Sequence, residues 1–293
     1  MKDYTWFLIF KTMRPKQWSK NLILFAALTF SQNLFHADMF IDVTIAFIIF
    51  CLLSGSVYIL NDLIDLNQDR KHPQKSKRPL ASGKLNPSTA IIYGIMLVVI
   101  SVMSAFYLNT NFALIALGYF FLQIAYSTLL KHIVILDVLT VSIGFLLRAI
   151  AGGEVIGVPI SSWLLICTIL LALFLALGKR RHELLLLEEN AVHHRKSLYE
   201  YSPGLLDQMI SVVTASTVIT YALYTMSAET IKKFQTDNLK YTTPFVLYGI
   251  FRYLYLIHQK NEGGSPEKIL LNDKPLMLNI ILYLITIGFF LYI

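Results

Sequence analysis

The chain has 293 residues, of which 56% are hydrophobic and only 15% charged, and its mean hydropathy is +0.60. Soluble domains are less apolar and more charged, so a soluble enzyme is excluded and a polytopic membrane protein is expected, with the bilayer as its first partner. The net charge of +7 would suit nucleic acid in a soluble chain; in a membrane protein it reports orientation, and no nucleic-acid partner is expected.

In chain order, apolar stretches of spanning length fall near 18–36, 41–60, 88–108, 112–130, 134–152, 161–178, 208–227, 242–258 and 275–293. Each is close to the roughly 20 residues a crossing needs, which gives nine expected transmembrane helices in an all-α fold. Residues 1–20 hold Lys2, Asp3, Lys11, Arg14, Lys16 and Lys20, so no cleavable signal peptide is expected. With the N-terminus in the cytoplasm, 20 of the 25 Lys and Arg fall on the inner side. Only Lys232, Lys233 and Lys240 fall outside, and Arg148 and Arg252 lie within spans. That asymmetry predicts N-inside and C-outside in a cell membrane of bacterial inner-membrane type. The long connections 61–87, 179–207 and 259–274 are then cytoplasmic, and 1–293 reads as a single transmembrane domain. Cys51 and Cys167 both sit in apolar runs, which argues against a disulfide framework or a cysteine-based zinc site.

The richest stretch follows the second apolar run. On a continuous helix Asn61, Asp62, Asp65 and Asp69 fall at about 0°, 100°, 40° and 80°, on one face. Carboxylates so crowded repel unless a cation lies among them, and hard oxygen donors suit Mg²⁺, usually one that also holds a phosphate. Asp65 and Asp69 are the expected bridging ligands, with Asn61 and Asp62 completing or orienting the shell. The alternative is a solvated, Asp-rich helix end. The basic tract Arg70 to Arg78 comes next, with Pro73, Pro79 and Gly83 favouring a fixed loop over a loose tail. Arg78 and Lys75 are its candidate phosphate ligands, because an arginine fork matches phosphate oxygens; the ordinary positive-inside anchor is the competing account.

Further along, Asp137 and Arg148 lie eleven residues apart in the fifth span, on one stripe and roughly 16 Å apart along the axis. An ionisable group in a span faces a polar interior, so Arg148 is a candidate for holding a lipid-linked phosphate or for bracing the bundle. At the end of the sixth span stands Gly178-Lys179-Arg180-Arg181-His182-Glu183. Its spacing also fits plain helix-surface pairs worth tenths of a kcal/mol. Glu188, Arg195 and Tyr199 follow as weaker candidates. Ser265 and Pro266 read as a helix start. The histidines His36, His132, His193, His194 and His258 show no metal-ligand spacing.

NDLIDLNQDRKHPQKSKRPLASG (61–83) resembles the first Asp-rich motif of the UbiA-type membrane prenyltransferase superfamily, and nine helices with Asp-rich cytoplasmic loops are similar to that family. The resemblance implies an all-α bundle around a central cavity, with Mg²⁺–diphosphate at its cytoplasmic mouth. Ordinary members carry a second D-x-x-x-D motif after helix 6; here GKRRHE stands there instead. Together with RPKQWSKN (14–21), YSTLLKHIVILDVLTVSIGFLLRAIAGG (126–153), GKRRHELLLLE (178–188) and YGIFRYLYLIHQKNEGGSPEKILLNDKPL (248–276), this resembles the decaprenyl-phosphate phosphoribosyltransferase branch.

That branch implies phosphoribosyl pyrophosphate as donor, a polyprenyl phosphate as acceptor, Mg²⁺ as cofactor, and a product feeding cell-envelope glycan synthesis. It implies phosphate-binding roles for Lys75, Arg78, Lys179 and Arg180, and support for positive charge at ribose C1 from Glu183. Tyr126 and Lys131 would border the same mouth, and Lys20 and Arg14 would reach it. Two other readings stay open. An ordinary prenyltransferase would take a prenyl diphosphate and an aromatic or lipid acceptor. A lipid-phosphate transporter would use Arg148 as its deep charge, although no pair of broken helices marks a midplane site.

Overall fold

A computed structural model describes residues 2–72, 74–189, 196–260, 263–264 and 266–292. Arg195, His193, His194 and Ser265 lie outside the described residues, as do the side chains of Glu188 and Tyr199. The helices are α1 (Lys2–Thr12), α2 (Phe25–Phe30), α3 (Ala37–Ile64), α4 (Leu66–Lys71), α5 (Pro87–Leu108), α6 (Thr110–Thr128) and α7 (Leu136–Val155). They continue as α8 (Ser162–Glu189), α9 (Pro203–Met226), α10 (Ala228–Phe234), α11 (Thr243–Gln259), α12 (Pro266–Asn272) and α13 (Lys274–Tyr292). The described residues contain no strand.

Seven helices, α3, α5, α6, α7, α8, α9 and α13, are long and apolar enough to cross a membrane. Two of the nine expected spans differ. Residues 18–36 do not form one α-helix: Pro15–Leu24 is a 3-10 helix, α2 adds six residues, and the chain then turns. Gln32 adopts a left-handed conformation (φ 62°) while the Asn33 amide bonds back to the Leu28 carbonyl at 3.2 Å. This is the closing turn that usually takes glycine. The apolar window saw composition, not hydrogen bonding. At about 2.0 Å per 3-10 residue and 1.5 Å per α residue, the two pieces still extend roughly 29 Å. The other is α11, a helix of 17 residues that carries Arg252.

The chain divides into two compact units. The first comprises Met1–Thr140 and Gly144–Ile160. In it α3 packs against α5, α6 and the 3-10 helix. One core gathers Leu24, Leu28, Phe50, Phe112 and Tyr119; a second joins Leu8, Ile9 and Met13 of the N-terminal segment to Ile59, Leu80 and Leu97. Helix starts follow their sequence signals. The Asn86 side chain accepts the Ser88 amide ahead of Pro87, and Asn109 accepts the Phe112 amide. Between α6 and α7 the backbone is strained: Ile135 holds φ 68°, ψ −46°, and the Leu136 amide bonds to the Val134 carbonyl at 2.8 Å. This is the less favoured hand of the γ-turn, here on a β-branched residue.

The second unit comprises Val141–Ile143, Ser161–Val192 and Lys196–Ile293. α8 packs along α9, and α11 packs on α13 and α9. Ser202 caps α9 and Ser227 caps α10. Arg252 of α11 donates to both carboxylate oxygens of Asp273, at 3.1 and 2.8 Å, and Asp273 accepts the Leu276 amide at 2.9 Å. One acid therefore both caps α13 and ties it to α11.

The Arg252 hydrogen bonds hold the Asp273 carboxyl below the usual carboxylate range, helped by the Leu276 amide and opposed by burial. A depressed folded-state value means the stabilisation is whole above the unfolded value near ~3.9 and is lost as pH falls through the folded value. The thermal unfolding midpoint in detergent is therefore expected to drop as pH is lowered from about 5 to below about 3. Asp273→Asn should start from a lower midpoint and lack that component of the acid response; an identical acid profile would remove the assignment.

Candidate functional site

The acidic motif does not lie on one uninterrupted helix. α3 ends at Ile64, Asp65 is the joint (φ −88°, ψ 8°), and α4 restarts at Leu66. Asp and Asn are weak helix formers that favour ends, and this segment is dense in them. The break divides the carboxylates. Asp62, in the last turn of α3, and Asp69, on α4, are both buried at 3% exposure and meet the same guanidinium nitrogen of Arg78. Arg78 Nη1 stands 3.1 Å from Asp62 Oδ1 and is hydrogen-bonded to Asp69 Oδ2. Asp65 turns to another partner, Lys131, whose Nζ donates to Oδ1 at 2.7 Å.

Local chemistry explains the placement of the cations. His72 Nδ1 accepts the amides of Gln74 and Lys75 at 3.1 and 3.3 Å, forming the turn into the 3-10 helix Lys75–Lys77. Arg78 precedes Pro79 and is extended (φ −66°, ψ 150°), the conformation that proline imposes on its predecessor. Lys75 Nζ lies 4.0 Å from Asp69. Arg14, the left-handed residue before the Pro15–Leu24 helix (φ 55°), is hydrogen-bonded to Asp62, and its guanidinium lies 4.9 Å from the Tyr58 ring centroid. Tyr58 sits one turn before Asp62; that i, i+4 spacing was its only sequence signal. Lys131 follows α6 and is itself buried. Asn61 ends α3 beside Asp62, while Lys20 in the 3-10 helix and Tyr126 in the last turns of α6 are half-buried.

The donor set is compatible with Mg²⁺. All the acidic groups offer oxygen, the donor that ion prefers. Among the described residues no three His, Cys, Asp or Glu side chains are drawn tightly enough to enclose a metal alone. Mg²⁺ commonly takes one or two carboxylates and completes its shell with water and substrate phosphate. Asp62, Asp65 and Asp69, gathered around the α3–α4 joint, supply oxygens of that kind.

Arg148 is 5% exposed in α7 and makes three hydrogen bonds, to Asn21, Tyr119 and the Gly144 carbonyl. Asp137, at the start of the same helix, is fully buried.

The second unit holds the other charged motif. Arg180, 4% exposed, is hydrogen-bonded to Glu183, and Lys179 Nζ lies 3.9 Å from Glu183 Oε1. Arg181 Nε donates to Asp207 Oδ1 of α9 at 2.6 Å. His182 Nδ1 accepts the Gly263 amide at 3.3 Å. A Cβ on Gly264 would stand 2.6 Å from the His182 ring, so the glycine pair lets the backbone lie against that ring. Two motifs far apart in sequence, GKRRHE and the Gly263-Gly264 turn, are thus in contact.

The UbiA prenyltransferase family matches residues 22–272. A decaprenyl-phosphate phosphoribosyltransferase of Mycolicibacterium smegmatis is 34% identical over 293 residues, covering 97% of this chain and 92% of that one. Its namesake in Corynebacterium glutamicum is 34% identical, covering 97% and 86%. A UbiA homolog from Archaeoglobus fulgidus, solved bound to GPP and Mg²⁺, superposes with a TM-score of 0.73 at 20% identity, over 98% of this chain and all of that one. That likeness speaks to fold. The chain belongs to the UbiA prenyltransferase family and is a multi-pass membrane transferase.

Proposed function

We propose that the chain transfers a 5-phosphoribosyl group from phosphoribosyl pyrophosphate to a polyprenyl phosphate and releases pyrophosphate. The observation that carries this is the near full-length similarity to two decaprenyl-phosphate phosphoribosyltransferases, in a chain whose second motif is GKRRHE rather than a pair of aspartates. The whole of 1–293 acts as one functional domain with its site on the cytoplasmic face. The Pro15–Leu24 helix with α2, and α11, complete nine crossings.

Asp65 and Asp69 are the proposed Mg²⁺ ligands, with Asp62 and Asn61 completing or orienting the shell. Mg²⁺, when bound, supplies charge stabilisation of departing pyrophosphate. Arg78 and Lys75, already beside Asp69, are the proposed pyrophosphate contacts. Arg14, Lys20, Tyr126 and Lys131 border the donor. From the second unit, Lys179 and Arg180 are proposed for the ribose 5-phosphate and Glu183 for supporting positive charge at C1. In the reaction the C1–O bond to pyrophosphate breaks and an acceptor phosphate oxygen bonds to C1, with inversion. The acceptor is already an anion, so no residue need remove a proton.

Purified protein, Mg²⁺, ribose-labelled donor and polyprenyl phosphate should move label into the organic phase. Label that stays in the water, or transfer only from a prenyl diphosphate, would overturn the proposal. Stripping divalent metal should stop turnover, and Mg²⁺ should restore it. Asp65→Ala and Asp69→Ala should each lower kcat/KM by roughly 100-fold or more while folded protein persists; full activity in either would end the metal assignment. Glu183→Gln should lower kcat about tenfold and leave the unfolding midpoint nearly unchanged; an unaltered kcat would reduce Glu183 to a helix-surface partner of Arg180.

A further inference from the structure

Arg148 is a guanidinium in a spanning helix, and among the described residues no carboxylate lies within ion-pair distance. Burying such a charge is expensive, and a neutral side chain could fill the space. Its three hydrogen bonds show where the charge is directed. Nε donates to Asn21 Oδ1 at 2.7 Å, Nη2 to the Tyr119 hydroxyl at 2.7 Å, and Nη1 to the Gly144 carbonyl at 2.9 Å. The guanidinium also lies 4.5 Å from the Tyr119 ring centroid. Asn21 in turn donates from Nδ2 to Ser54 Oγ and Cys51 Sγ on α3, both at 3.3 Å. One amide thus links α7 to α3, and the Pro15–Leu24 helix is held between them.

The backbone gives a second hold. Gly152 is one turn beyond Arg148, on the same face of α7. A Cβ there would stand 2.1 Å from the Leu24 carbonyl oxygen and 2.8 Å from Leu24 Cα. The end of the 3-10 helix therefore lies directly on α7. Its other end is Arg14, hydrogen-bonded to Asp62. Six residues of 3-10 helix lie between Arg14 and Asn21, a rise of roughly 14 Å over seven residue steps.

We infer that Arg148 is a positioning residue which, through Asn21 and the rigid segment 15–24, sets the contact of Arg14 with Asp62. This deepens the proposed function and rests on the Asp-rich site holding the donor. It predicts a remote effect with a specific signature. Arg148→Met should raise the donor KM and lower donor kcat/KM by roughly ten- to a hundredfold, as small misplacements of a positioning group do, with the polyprenyl phosphate KM unchanged. Arg148→Lys should recover part of the loss. Because both residues act on one contact, the Arg14→Ala/Arg148→Met double variant should be no worse than the worse single variant. A merely structural role would lower the yield of folded protein, leave the donor KM alone and add to Arg14→Ala.

Cys51 gives a readout independent of turnover. It is 2% exposed and receives the Asn21 amide. In a Cys167→Ser background, N-ethylmaleimide should label Cys51 about tenfold faster in Arg148→Met, at an intermediate rate in Arg148→Lys, and at the parental rate in Arg14→Ala. Unchanged labelling with an unchanged donor KM would overturn the inference, as would additivity in the double variant. Should Arg148→Met fail to fold, Arg148→Lys decides by the same two measurements: a donor KM and Cys51 labelling both at parental values overturn the inference. If the parent protein does not use phosphoribosyl pyrophosphate at all, the functional proposal falls, while the Cys51 rates still decide whether Arg148 anchors the segment.

Discussion

The structure of the first unit turns on the neutralisation of three carboxylates around the joint between α3 and α4. Asp62 and Asp69 are nearly sealed from solvent, and like charges so close would repel strongly in a weakly polar setting. The compensating cations come from three separated parts of the chain: Arg14 before the 3-10 helix, Arg78 after α4, and Lys131 beyond α6. None can arrive unless its own segment has folded. Assembly of the site and folding of the unit are therefore one event, and the groups that balance the acids are also the kind that grip phosphate.

The charged group of the second unit has a different origin. Lys179, Arg180 and Glu183 are three or four residues apart on α8, so the helix alone brings them together. Their arrangement belongs to secondary structure, whereas that of the Asp-rich group belongs to tertiary structure. Substitutions in the core around Phe50 and Tyr119 should therefore disturb the aspartates before they disturb Glu183.

Much of the fold was legible because hydropathy is a property of single segments. Seven spans emerged where apolar length indicated. The Asp-rich motif was legible for the same reason, since its residues are close in sequence. Its geometry was not. Helical periodicity cannot show that Asp65 is a joint, and it placed on one face carboxylates that look toward different cations. Residues 18–36 showed their apolar length but not their hydrogen bonding, because a 3-10 helix followed by a six-residue α-helix has the same composition as one continuous helix. The partners of Arg148 were invisible for another reason. Asn21 lies 127 residues away in the chain, and no local pattern announces a contact of that range. Asp207 is similar: alone in its own stretch, it is completed by Arg181, 26 residues earlier.

Ile135 carries a consequence of another kind. A β-branched residue at φ 68° sits on high conformational ground, at a penalty on the order of 1–3 kcal/mol. It does so between the Lys131 that neutralises Asp65 and the helix that bears Arg148. Glycine there would relieve the tension and let the corner swing. Glycine's extra freedom in the unfolded chain would offset part of that relief, so what the isoleucine contributes at the corner is stiffness: it restricts the directions in which the chain can leave the Lys131 turn and enter α7.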